Sequence, residues 1–239
     1  MAMPAAMTER EGGAALLHLL TWTSPAFPVG AYAFSHGLEA AVEAGDLRNA
    51  DDLEGWIGDI LAHGAGRCDG ILLAHAWRAV AGGDAAGLQA VADLAEAFRG
   101  TTELALESSA EGRAFVAAVR AGWPALLAGE PAATLARRDR PPAYAIAVGA
   151  AAAAAGIDIN DTLIAFLQAF AANLVSAGVR LIPLGQSEGL KVLAGLEQVI
   201  LGVAGEAGAA GLDDLGSATW RVEIGSARHE TQYSRLFRS

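Results

Sequence analysis

Residues 158–178 read DINDTLIAFLQAFAANLVSAG, and their spacing decides the fold class. Leu163, Phe166, Leu167, Phe170 and Leu174 recur at intervals of three and four, which lines them along one face of a helix. Asn160 or Asp161 supplies a cap at the start of that helix and Gly178 a stop at its end. The same pattern opens residues 49–80, NADDLEGWIGDILAHGAGRCDGILLAHAWRAV. There Asp51 caps with Glu54 three residues on, and Leu53, Trp56, Ile57 and Ile60 follow at helical spacing. No series of alternating strands with hairpin turns competes with this pattern, so the expected fold is all-α.

Outward from these two segments, residues 143–157, AYAIAVGAAAAAAGI, form a run without charge. It is shorter than the roughly 20 residues that cross a bilayer, and it reads as a buried helix whose small side chains let neighbours approach closely. Proline and glycine interrupt the periodicity near TSPAFPVG, GWPALLAGEPAATLARRDRPP and VRLIPLGQSEGL, which marks short loops between helices. No solenoid repeat is visible. A glycine-rich stretch precedes GSATWRVEIGSARHE, whose periodicity is weak. The expected organisation is a single-domain helical bundle over residues 1–215, with a loosely attached C-terminal tail over residues 216–239.

Composition narrows the function classes. The chain has 239 residues, 53% of them hydrophobic, enough for a sizeable core. Its 16 basic residues stand against 27 acidic ones, for a net charge of −11, which argues against a nucleic-acid partner. Cys68 is the single cysteine, so no internal disulfide forms, and Glu9 and Arg10 fall where a secretory leader needs an apolar run. These features lead to the expectation of a cytoplasmic protein that does not enter a membrane.

Motifs for independent chemistry are missing. GQSEGLK, residues 185–191, has glycines and Lys191 but lacks the spacing and the hydroxyl of a phosphate-binding loop. Cys68 and His75 share a helical face, but His63 lies about 120° away at 3.6 residues per turn, so one helix cannot gather three metal ligands. Cys68 and His75 then read as a buried thiol and a satisfied imidazole, or as two ligands awaiting a third. Glu103, Glu107 and Glu111 in TTELALESSAEGR stand at intervals of four; such a row serves acid/base chemistry or, as is more usual, forms a solvated face. No catalytic residue, metal site or cofactor is assigned.

Two stretches look built for contact. In SPAFPVGAYAFSHGLEAAVEAG, residues 24–45, two prolines stiffen a turn, Gly30 permits an unusual backbone, and Ser35 can cap a helix containing Leu38, Glu39 and Val42. This is either a rigid lead-in to a helix or a platform holding Tyr32, Phe34 and His36 toward a partner. The ending RHETQYSRLFRS, residues 228–239, sets three arginines against one glutamate in an otherwise acidic chain. Wound as a helix, it aligns Tyr233, Leu236 and Phe237 in an apolar face flanked by Arg235 and Arg238. Such a short helix is stable only when buried, which suits a peptide that docks into a partner groove.

SPAFPVGAYAFSHGLEAAVEAG, GVRLIPLGQSEG, GSAT and above all RHETQYSRLFRS resemble the urease accessory protein UreF family, and the likeness spans nearly the whole chain. Trp220, after GSAT, stands where the family pattern has proline. The resemblance implies an all-α, non-catalytic homodimer that joins UreD (also called UreH) to the GTPase UreG, so that nickel is loaded into apo-urease. It implies that Arg228, His229, Glu230, Thr231, Gln232, Tyr233, Arg235, Leu236 and Phe237 meet UreD. It places Ser24, Pro28, Gly30, Tyr32, Ser35, His36, Glu39, Arg180, Pro183 and Gln186 on the dimer or UreG surface. Two other readings stay open: a GTPase activator supplying Arg180 to UreG, and a chaperone that itself binds nickel.

Overall fold

The structure, a computed structural model, describes residues 9–239, with side chains described from residue 12 onward. The reading of the first ten residues as lacking a leader therefore lies mostly outside the described residues. Eleven α-helices and four single-turn segments follow one another, with no strand among the described residues. The helices are α1 (Glu9–Trp22), α2 (Leu38–Glu43), α3 (Ala50–His63), α4 (Ala65–Ala81), α5 (Ala85–Ala97) and α6 (Thr102–Gly122). They continue as α7 (Tyr144–Ala154), α8 (Ile159–Leu181), α9 (Gln186–Gly195), α10 (Glu197–Ala209) and α11 (Trp220–His229).

The helices form where expected, but their ends differ in instructive ways. Asn49, not Asp51, caps α3, its side chain accepting from the Asp52 amide at 2.9 Å. Asp158 caps α8 by accepting from the Asn160 and Asp161 amides at 2.8 and 3.3 Å. In both cases the cap precedes the expected residue, where the backbone is still extended and the side chain can turn back to the open amides. Nor does α8 stop at Gly178. That glycine lies inside the helix because Leu53 of α3 crosses it, and a Cβ there would stand 2.5 Å from a Leu53 methyl. The helix ends at Leu181 because Ile182 precedes Pro183, whose ring pushes the residue before it into the extended region.

At the centre, α4 packs along α7 in the most extensive helix pairing of the fold. Residues Ala145 to Ala152 of α7 are all buried, as a helix apolar on every side must be. The two backbones meet at Gly149, where an added Cβ would lie 2.4 Å from the Leu73 carbonyl oxygen. Gly149→Ala gains helix propensity of about 1 kcal/mol, but a backbone clash cannot be relieved by a rotamer change. We expect a net loss of about 1–3 kcal/mol, read as a lower urea midpoint with unchanged slope. Trp22, Phe115, Ile57, Ile60 and Leu167 fill the main core around this pair. By length and composition α8 could cross a membrane, but half of its apolar window is buried inside the fold.

Candidate functional site

The loop from Ser24 to Gly37 is rigid for reasons of backbone geometry. Gly30, His36 and Gly37 all adopt positive φ, at 81°, 55° and 80°. Glycine takes this conformation freely, but for histidine it costs about 1–2 kcal/mol, so neighbouring contacts must hold His36 in place. Those contacts are the Glu107 carboxylate, 3.0 Å from His36 Nδ1, and Ser239 Oγ, which accepts from the His36 amide at 3.3 Å. Gly37 occupies the cap position of α2 and has no side chain to offer. Ser35 Oγ, expected to cap the helix, accepts from the Glu39 amide in its first turn at 3.4 Å, and the same hydroxyl donates to the backbone oxygen of Ser239, which also accepts from the Ser35 amide at 3.1 Å.

The row Glu103, Glu107 and Glu111 on α6 is not a solvated face. All three side chains are buried, and the first two receive groups from distant parts of the chain. Glu103 accepts from His229 Nδ1 at 2.7 Å and from Arg235 at 2.9 Å. Glu107 meets His36 and accepts from Ser239 Oγ at 2.7 Å. Burial pushes the Glu107 carboxyl up, but the charge and hydrogen bond of His36, the Ser239 hydroxyl and nearby Arg99 outweigh that and hold it below its ordinary value. Glu111 makes no side-chain hydrogen bond among the described residues. Burial, then the charges of Glu107 and Asp69, hold its carboxyl well above the ordinary value, against a smaller pull from Arg99.

Glu39 of α2 completes a clasp around the tail. It accepts from the Leu236 and Phe237 amides at 2.7 and 2.9 Å, and from His229 Nε2 at 3.1 Å. His229 has no exposed surface and lies between Glu39 and Glu103, so both ring nitrogens face carboxylates and both bonds form when both nitrogens carry protons. The tail is thus fastened to the body, where a loose attachment was expected. Residues 220–229 form α11, with Trp220 exposed at its first position, and the residues beyond run without helix. The expected apolar helical face does not form: Phe237 is 4% exposed beneath the Arg180 guanidinium, while Leu236 and Tyr233 are 64% and 105% exposed. The turn that buries one aromatic leaves the other outside.

The expected contact residues therefore divide by position. His229 and Phe237 lie in the interior, and Arg235 reaches inward to Glu103. Glu230 caps α6 by accepting from the Thr102 amide at 2.9 Å, and the Thr231 hydroxyl donates to the Arg228 carbonyl. Arg228, Gln232 and Tyr233 line an open groove of about 500 Å³, together with Trp56, Arg221 and Ile224. Of the loop residues, Ser35, His36 and Glu39 are buried in the clasp, whereas Pro28 and Tyr32 are exposed and Ser24 is half-buried. Arg180 donates to the Tyr32 carbonyl at 3.0 Å and covers Phe237 at 4.4 Å, which ties loop, α8 and tail together. Pro183 and Gln186 are exposed at the α8–α9 turn.

Cys68 and His75 go separate ways. The buried thiol donates to the Gly216 carbonyl at 3.3 Å, and His75 Nε2 lies 3.2 Å from the Ala210 carbonyl. Sequence reasoning missed the clasp, although the histidines at 36 and 229 and the row holding Glu103 and Glu107 were its visible halves.

A family model described as UreF matches residues 47–197. The protein named "Urease accessory protein UreF" from Rhodopseudomonas palustris strain BisB5 is 50% identical over 237 residues, 98% of this chain and 96% of its own length. Its namesake from Xanthobacter autotrophicus is 51% identical over 232 residues, 97% and 94% of the two chains. That from Methylorubrum populi is 52% identical over 223 residues, 93% and 98%.

Proposed function

Because this chain belongs to the UreF family of urease accessory proteins, we propose that it is a non-catalytic, homodimeric scaffold of urease maturation. In this reading it joins UreD (UreH) to the GTPase UreG in the cytoplasm, so that nickel reaches the dinickel centre of apo-urease. The supporting observation is the division of the tail: Phe237 and His229 anchor it, while Arg228 and Tyr233 line the groove and Leu236 is exposed. A segment fastened at alternate points presents its remaining side chains in a fixed arrangement, which lowers the entropy lost on binding. Exposed Trp220 and Ile224 on α11 extend the same apolar surface. The surface rather than an unfolded peptide then meets UreD, with Tyr233 as the aromatic anchor.

Tyr233→Ala combined with Leu236→Ala should reduce capture of UreD by about thirtyfold, equivalent to an aromatic hot spot of about 2 kcal/mol. The melting temperature should not move, since both side chains are exposed. A pull-down from cells containing UreD and UreG, with urease activity measured alongside, decides it. Unchanged capture sinks the docking surface. The activator reading is not favoured by the position of Arg180, whose guanidinium already bonds Tyr32 and covers Phe237.

A further inference from the structure

Behind the loop, a cavity of about 250 Å³ opens between α1, α6, α7 and α8. Pro25, Tyr32, Gln168 and Ser176 are exposed at its rim, and Trp22, Phe27, Tyr144 and Phe170 supply aromatic walls. Glu107 and Glu111, one helical turn apart, line it as well. Two bonds there are unmade. Glu111 is 8% exposed with no hydrogen-bond partner among the described residues, and Trp22 Nε1 is buried without one. Glu107 is satisfied by His36 and Ser239 within the clasp, but Glu111 makes no ion pair among the described residues. Burying an unpaired carboxyl costs stability, and no part of the clasp recovers that cost.

We propose that this cavity binds a small primary amine, its ammonium group paired with Glu111 and its apolar part held against the aromatic walls. The chemistry follows from the lining: a carboxylate beside aromatic faces attracts an organic cation by charge and by the ring quadrupoles. The volume lies just below the roughly 300–1,000 Å³ of pockets for drug-sized ligands, which suits a ligand the size of benzylamine. Among the described residues no basic side chain lines the cavity to compete for the carboxyl.

Proton release gives the binding a signature. The charged groups acting on Glu111 are Glu107 on its own helix, Asp69 on α4 and Arg99 after α5; Tyr144 on α7 is held neutral by burial and by Glu111. From α8 the lining side chains are uncharged. These influences together favour the neutral form of Glu111, and an arriving ammonium favours the ionised one, so any proton the carboxyl holds is released on binding.

The test is calorimetric titration of the whole protein with benzylamine near neutral pH, in two buffers of different ionisation heat, with benzyl alcohol as the uncharged comparison. Binding of benzylamine with release of up to one proton, and at least tenfold weaker binding of benzyl alcohol, is the expected result. Glu111→Gln should weaken benzylamine at least tenfold and abolish proton release. The same change should raise the melting temperature at neutral pH, because it removes a carboxyl whose folded state resists ionisation; that gain shrinks as pH falls and Glu111 is protonated in both states. A more stable variant that no longer binds excludes unfolding as the cause. Equal binding by Glu111→Gln, equal binding of benzyl alcohol, or no heat from benzylamine at millimolar concentration overturns the proposal.

Discussion

Replacing Glu39 with alanine is expected to unfasten the last residues of the chain and to cost about 3–5 kcal/mol, the usual loss when one partner of a buried ion pair is removed. One carboxylate serves three donors there: the Leu236 amide, the Phe237 amide and His229 Nε2. Alanine leaves all three without a partner, the Phe237 amide and His229 Nε2 in buried positions, and each buried donor left unpaired costs about 1–3 kcal/mol. Urea denaturation measures the total. Hydrogen exchange locates it: the amides of Leu236 and Phe237 should lose protection before those of α4 and α7. If those two amides stay protected in Glu39→Ala, the clasp is not what holds the tail. Acid should loosen it too, since Glu107 is held below its ordinary value. A carboxylate so placed contributes stability that is present above its unfolded value and is lost as pH falls through the folded one.

The helices of this protein are legible in its sequence because their evidence is local. Leu163, Phe166, Leu167 and Leu174 mark the buried face of α8 by spacing alone, and each is indeed buried. The alanine run of α7 declares its burial by having no polar side to offer the solvent. The clasp could not be read in this way. Glu103, Glu107 and Glu111 at intervals of four look the same on a wet face as on a buried one, and what separates the cases is the arrival of hydrogen-bonding partners from elsewhere. For Glu103 that partner is His229, 126 residues on; for Glu107 it is His36, 71 residues back. The same gap explains the ending. Its basic and aromatic character was plain, and an aromatic helix was the natural local solution, but Glu39 binds the Leu236 and Phe237 amides, which an α-helix would have used internally. The basic segment in an acidic chain thus answers first to the carboxylates of its own body. Only the side chains it leaves outside are free for others.

Truncation should separate those two roles with the second large effect. A chain lacking residues 230–239 keeps α11 and with it His229, so Glu39 and Glu103 still share an imidazole, and the main core keeps every residue but Phe237. We expect this variant to fold with nearly full helical content, to be less stable, and to lose capture of UreD together with urease activation. Removing one residue more, His229, strands Glu39 and Glu103 together in the interior with no cation between them. Two like charges in a site of low polarity cannot both stay ionised, and the added loss should again be about 3–5 kcal/mol, comparable to the whole reserve of a marginal domain. Urea midpoints of the two truncations, taken at neutral pH, provide the comparison. Equal stability would mean that His229 holds nothing, and the clasp would have to be redrawn around Arg235 and Ser239 alone. A wide separation would mean that loss of activation on any deletion that reaches His229 reports a damaged body as much as a missing docking surface. The change that isolates docking is then the exposed pair Tyr233 and Leu236, whose replacement leaves Glu39, Glu103 and Glu107 with their partners.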